Sequence, residues 1–306
     1  MTDSCCFVQF PHPGAEHRPG AGAGRRWNTL AAPHARKFMQ LSGDWIGPDG
    51  RTGSGDLWAW GEWEPQSQLL GRLDGPRERG YPQYLWLPYY EVPEGGCGGL
   101  HNTDPFIFGD RFLYSNCKQT GSTRLRSLGR GSVIAFGSHT AGRWVLDTVM
   151  VVAGSVDYAP GRARSALAGL VPDAFVDVTA GPLADNRQDP SCGPAPVRRG
   201  GCGGGAGEDA DVKLRLYWGA TPEDPVGQMF SFFPAMPADR ARGFPRPGIE
   251  LPDWCFTKSL RQGHKQSCGL SAQSMRPLWE SLTEQVHGAG LVLGTHAAPP
   301  RRTSCR

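Results

Sequence analysis

The chain has 306 residues, with 32 Lys and Arg against 29 Asp and Glu, for a net charge of +3. That balance excludes an overall basic field of the kind that drives non-specific nucleic-acid binding, and no run of about 18 apolar residues is present to span a membrane. A hydrophobic share of 39% with ten Trp and thirteen Phe is enough for a sizeable core in one large domain or two small ones, while 43 Gly and 27 Pro favour turns over long helices.

Of the 32 basic residues only five are Lys. This Arg excess matches a GC-rich coding bias, so it carries no argument for nucleic acid. The nine cysteines are odd in number and contain no CxxC pair, although Cys5 and Cys6 are adjacent. A closed zinc site needs ligands paired at short spacing, so neither a metal nor a cofactor is expected. The start, Met-Thr-Asp-Ser-Cys-Cys, lacks the basic and apolar regions of a signal peptide. The expectation is a cytoplasmic chain with reduced thiols.

In chain order, Phe7–Phe10 reads as a short strand followed by a Gly/Pro-rich loop. His12, His17 and His34 fall in this leader beside Glu16, without an HExxH pattern, and read as surface or turn histidines; a metal site from His12 and His17 is the alternative. The run His34–Met39 reads as the start of a short helix ending near Ser42-Gly43, with Arg36 and Lys37 as candidates for phosphate or carboxylate. Next comes Asp56–Pro65, in which alternation places Trp58, Trp60 and Glu62 on one strand face. Two readings fit. Trp stacks on planar ligands and a carboxylate accepts from a base N–H; or this is a Trp-rich core strand. An acid/base pair of Glu62 and Glu64 is disfavoured, because alternation points both the same way and no nucleophile accompanies them.

Residues 71–99 are loop-dominated apart from the apolar Tyr84–Tyr90. Beyond them Asn102, Thr103, Asp104, Asp110, Asn116, Lys118 and Gln119 are interleaved with Phe106, Phe108, Phe112 and Tyr114. Polar groups among aromatics on a loop suit a ligand pocket, and equally an Asx turn closed by Pro105 over an ordinary core. Ser132–Ser138 and Arg143–Ala153 are β-branched-rich and form a hairpin across a short Gly-containing loop. Alternation puts Trp144, Leu146, Thr148, Met150 and Val152 on one face, and Val145, Asp147, Val149 and Val151 on the other. Both faces are apolar, so the strand is central, and the buried carboxylate of Asp147 requires a partner.

Arg162–Leu170 then reads as a short helix and Ala174–Val178 as a short strand. The Gly/Pro tract 184–211 is a flexible insertion that lacks the GK[ST] end of a phosphate loop. Val212–Trp218 alternates as a half-exposed strand, and Met229–Pro234 is an extended aromatic run whose Ser231 has no Gly-x-Ser-x-Gly setting. Ser274–His287 is an amphipathic helix, Gly290–His296 a last strand, and 297–306 a basic disordered tail. Residues 1–183 and 212–296 are thus expected to form one domain around the insertion. The pattern of many short strands without βαβ alternation predicts an α+β fold on a mixed or barrel-like sheet.

The succession Gly-Arg-Gly-Ser-Val-Ile-Ala-Phe-Gly-Ser, a loop, and Trp-Val-Leu-Asp-Thr-Val-Met-Val-Val is similar to the core of PUA-like domains, including the EVE and ASCH branches. The longer set GEWEPQS, HNTDPFIFGDRFLYSNCKQ and FSFFP resembles bacterial nucleotide-modification-associated proteins. The PUA-like likeness covers about a sixth of the chain; the leader and the C-terminal third have no counterpart in a minimal domain. It implies binding of a nucleobase, nucleotide or modified nucleic acid, within a DNA-modification or defence system. Trp58, Trp60 and Phe106 or Tyr114 would stack on the base, Glu62, Asn102, Asp104 and Asn116 would read its edge, with Thr103 in the same loop, and Arg36, Lys37 and Lys118 would meet phosphate. The rival is a nucleotide-processing hydrolase or transferase with Asp104 or Glu62 as general base and His17 or Lys118 assisting. A third reading is an interaction module whose aromatic strands simply pack.

Overall fold

The structure is a computed structural model that describes residues 5–20, 35–76, 80–91, 102–119, 122–140, 142–182, 213–252 and 265–303. It is a mixed α+β fold dominated by two sheets. The first sheet runs in the order β11 (Lys265–Leu270), β1 (Cys5–Pro11), β7 (Val133–Thr140), β8 (Arg143–Tyr158), β9 (Leu214–Gly219) and β6 (Leu113–Tyr114). Its β1–β7 pair is parallel and the other pairs are antiparallel. The second runs β12 (Val292–Ala297), β10 (Phe233–Pro237), β3 (Thr52–Gly61), β2 (Lys37–Ile46), β5 (Tyr84–Glu91) and β13 (Arg301–Thr303), with β4 (Ser67–Arg72) set against β5. Because β12 pairs with β2 as well as with β10, strands β2, β3, β10 and β12 close into a small four-strand barrel.

Closure demands one close backbone approach. Gly43 on β2 lies against the His296 carbonyl of β12, and any Cβ there would collide with that oxygen. A side chain could rotate away from a neighbour, but this neighbour is backbone. Glycine is the residue that fits.

The helices are few. Ala163–Ala166 (α1) and Asp173–Phe175 (α2) are single turns, the latter running on as a π-helical turn over Val176–Ala180. The long C-terminal helix is α3 (Ala272–Gly288), whose N-cap Ser271 accepts from the Ser274 amide at 3.1 Å. Its apolar stripe Met275, Leu278, Trp279, Leu282 and Val286 is buried in the main core. That helix begins two residues before its expected start.

Three local expectations are corrected. The run around Arg36–Met39 is not helical: Lys37–Ile46 is strand β2, paired in register with β3 from Lys37↔Gly61 to Ile46↔Thr52. Its neighbour in the sheet overrides the local preference. Ala174–Val178 is helical rather than extended, since a short apolar run has no decisive period and Pro172-Asp173 opens a helical turn. The tail is ordered over Arg301–Thr303, which adds to β5 in parallel. The insertion 184–211 lies outside the described residues.

The hairpin β7–β8 forms, with one deviation. Strict alternation along β8 fails between Leu146 and Thr148, where the register against Gly137 and Phe136 slips by one residue. Asp147 is the extra residue of this β-bulge. A one-residue slip exchanges faces, so Trp144 and Leu146 join Val149 and Val151 in the main core, while Met150 and Val152 pack with Ile134 and Phe136 in a separate one. The bulge directs a carboxylate out of the ladder and toward cations.

Candidate functional site

Asp147 finds those cations in Arg36 and Arg246. Arg36 Nε lies 3.1 Å from Asp147 Oδ2, and Arg246 Nη1 lies 3.5 Å from Asp147 Oδ1. Arg36 also donates from Nη1 to Glu62 Oε2 at 2.6 Å, and His12 Nδ1 stands 3.5 Å from the same oxygen. Arg246 further donates to Ser138 Oγ at 2.8 Å and to the Gly14 carbonyl at 2.6 Å, with its guanidinium 5.4 Å from the centre of the Trp60 ring. Five charged or titratable side chains thus meet from the ends of β1 and β3, the start of β2, the bulge of β8 and the loop after β10.

All five are buried. Arg36 is 1% exposed, yet its guanidinium is held above its ordinary value: burial alone pushes it down, and the charges of Glu62 and Asp147 outweigh that. The arginine therefore stays charged in the interior, where removing one member of such a pair costs about 3–5 kcal/mol. Its backbone is clipped in place, the Arg36 amide donating to Ala15 O at 2.7 Å and its carbonyl accepting from His17 N at 2.8 Å. One part is left over. Arg36 Nη2 is buried and has no hydrogen-bond partner among the described residues.

The second polar cluster is the loop 102–119. Asp104 is fully buried, and its carboxylate accepts three backbone N–H bonds: Ser115 at 3.0 Å on Oδ1, and Asn116 and Cys117, both at 2.7 Å, on Oδ2. Burial nevertheless raises its pKa to about 7, the three N–H bonds pulling the other way and Glu62 adding to the rise. Asn116 spends its whole amide: Nδ2 donates to Asn102 Oδ1 and Thr179 O, and Oδ1 accepts from Ser115 Oγ and Tyr158 OH. The Asn102 amide donates to Glu64 Oε2 at 2.8 Å, and Thr103 Oγ1 accepts from the Glu64 amide at 3.2 Å. The loop is thereby tied to the segment just beyond Glu62. Cys117 is a buried thiol whose pKa burial pushes well up, so it is not a ready nucleophile.

The remaining candidates separate. Trp60 is buried between Phe38 and Arg246 and donates to Phe244 O at 2.8 Å. Trp58, on the same face against Phe38, is half-buried. Phe106 is enclosed by Trp63, Phe108 and Phe175, and Tyr114 by Phe10, Phe136 and Tyr217, so both rings are core. Lys37 is buried and donates to Pro65 O at 2.8 Å and Ser67 Oγ at 2.7 Å; burial lowers its pKa to about 7. It faces protein acceptors rather than a surface anion. Lys118 is exposed in a left-handed conformation at φ 62. His17 packs on Trp86, 5.1 Å between ring centres, outside the cluster.

His12, expected at a surface or turn, is instead interior. His34 lies outside the described residues. No group of three or more His, Cys, Asp or Glu is gathered as a metal would need among the described residues. The expectation of reduced thiols gives way at Cys6 and Cys268, which are joined by a disulfide. No helix among the described residues is long and apolar enough to cross a membrane. Sequence reasoning missed Arg246 and Ser138. The available signal was the demand of Asp147 for a partner, and an Arg set between Pro245 and Pro247 on an otherwise apolar loop.

Comparison of the chain with protein-family models, with curated proteins and with solved structures gave no match.

Proposed function

We propose that the chain binds a nucleobase or nucleotide at the buried cluster of Arg36, Glu62, Asp147, Arg246 and His12. The observation that carries this reading is Arg36 Nη2, a buried guanidinium N–H group with no acceptor among the described residues. A charged donor out of water without an acceptor is costly, and a carbonyl or phosphate oxygen of a ligand would complete it. The neighbouring Trp58, half-buried beside Phe38, is the aromatic of the set with surface left to offer. The likeness to PUA-like domains has the closed barrel of β2, β3, β10 and β12 on its side, although the hairpin β7–β8 that carries the motif lies in the other sheet; the same reading gives a cytoplasmic protein with nucleotide or nucleic acid as partner.

Binding is better supported than turnover. A carboxyl with a pKa of about 7 lies in the range of a general base, but both oxygens of Asp104 already accept backbone N–H bonds. Glu62 is held by Arg36 at 2.6 Å. Each acts as an anchor.

Native mass spectrometry of the purified chain, alone and with adenosine, cytidine, guanosine, uridine and their 5′-monophosphates, tests the proposal. A saturable one-to-one complex with a member of this panel, or a co-purified nucleoside or nucleotide, is expected. A chain that carries none and binds none contradicts it.

A further inference from the structure

We propose that Cys6 and Cys268 form a thiol–disulfide exchange site that clamps the outer edge of the first sheet. The two residues are 262 positions apart in sequence and are bonded to each other. Their surroundings are opposite. Cys6 is buried with Val8, Phe10, Leu125 and Ile134, whereas Cys268 is exposed on β11. β11 is the terminal strand of its sheet, held by its ladder to β1, and it runs directly into Ser271, the N-cap of α3. The clamp therefore joins a core strand to an edge strand at the point where the long helix is anchored.

Exposure decides the chemistry. A thiolate from solvent reaches the Cys268 sulfur and not the buried Cys6 sulfur, and exchange requires access to the sulfur attacked. The attacking sulfur of a small dithiol bonds to Cys268 Sγ, and the Cys6–Cys268 bond breaks. Its electron pair leaves on Cys6 Sγ, which takes up the proton given up by the attacking thiol. The second thiol of the reductant then attacks the mixed disulfide, closing the oxidised reductant into a ring and releasing Cys268 as a thiol. The protein disulfide gains two electrons and the dithiol loses two. A neutral Cys6 thiol suits its apolar surroundings. After reduction β11 keeps its backbone ladder to β1 and the packing of Leu270 on the main core but loses its covalent tie, and local opening of an edge element becomes easier.

Peptide mapping and amide hydrogen exchange on the full chain, with and without dithiothreitol, test this site. The air-oxidised chain is expected to yield a linked Cys6–Cys268 peptide that disappears with dithiothreitol in the absence of denaturant. Exchange over Lys265–Leu270 should then accelerate by about ten-fold or more while β8 stays protected. Cys268→Ser should show the fast exchange under both conditions. A linked peptide missing from the oxidised chain overturns the proposal. So does a link that resists dithiothreitol in the folded protein, or reduction that leaves exchange over β11 unchanged.

Discussion

Replacing Asp104 with asparagine should tilt the pH dependence of stability in a direction that the geometry fixes. Asp104 is raised by burial from 3.8 to about 7. Between those values the folded chain holds a proton that the unfolded chain has released, so stability falls as pH rises through this window. At 1.36 kcal/mol per pH unit the loss amounts to about 4 kcal/mol by pH 8. Asparagine cannot ionise, and its single carbonyl oxygen can serve the Asn116 and Cys117 amides as Oδ2 does now. Its NH2 group then faces the Ser115 amide, a donor against a donor, at a cost of about 1–3 kcal/mol. Asp104→Asn should accordingly be less stable than the parent at pH 4–5 and equal or more stable by pH 8, the two curves crossing in between. Urea unfolding followed by Trp fluorescence across this range measures the difference directly. Parallel curves, with the variant weaker by a constant amount, would refute the argument that burial dominates the Asp104 carboxyl.

Lys37 supplies the complementary limb. Burial lowers it from 10.5 to about 7, so the folded chain binds fewer protons than the unfolded chain between those values and stability rises with pH there, by up to about 5 kcal/mol. Lys37→Met should abolish that rise in the same unfolding series; a slope that survives would show that other groups produce it. For the barrel, Gly43→Ala should cost more than about 2 kcal/mol, because the added carbon meets the His296 carbonyl, a backbone atom, whereas Gly71→Ala on β4, with open space around it, should be within about 0.5 kcal/mol of the parent. Thermal melts of the two variants decide it, and equal melting temperatures would mean that β2 and β12 are not closed at Gly43.

The hairpin was legible because Ser132–Ser138 and Arg143–Ala153 are rich in β-branched residues, and the demand of Asp147 for a partner followed from its apolar neighbours. Neither the cationic nature nor the identity of that partner was legible. Arg246 lies 99 residues away from Asp147, and nothing local marks a contact of that range. The bulge was hidden for a related reason: alternation reads a strand as regular, and only the partner strand fixes where the register slips. Arg36 and Lys37 were singled out, but as part of a helix facing surface anions; Lys37 opens β2 and Arg36 precedes it, and β2 depends on β3, which local propensity does not see. Within the loop, Asn102, Asp104 and Asn116 are joined by hydrogen bonds through Asn116, and those bonds turn inward to hold the loop itself. Phe106 and Tyr114 share the aromatic character of ligand platforms with that of any core, and packing alone separates the two.

Isothermal titration of the parent chain and of Arg36→Lys with the nucleoside or nucleotide that binds tests whether the Arg36 guanidinium holds the ligand. Lysine keeps the positive charge between Glu62 and Asp147 but removes the planar fork and its free Nη2 end. Affinity about ten-fold weaker in the variant, about 1.4 kcal/mol, with an unchanged circular dichroism spectrum is the expected result. Equal affinity in the two proteins would contradict it and move the ligand away from Arg36.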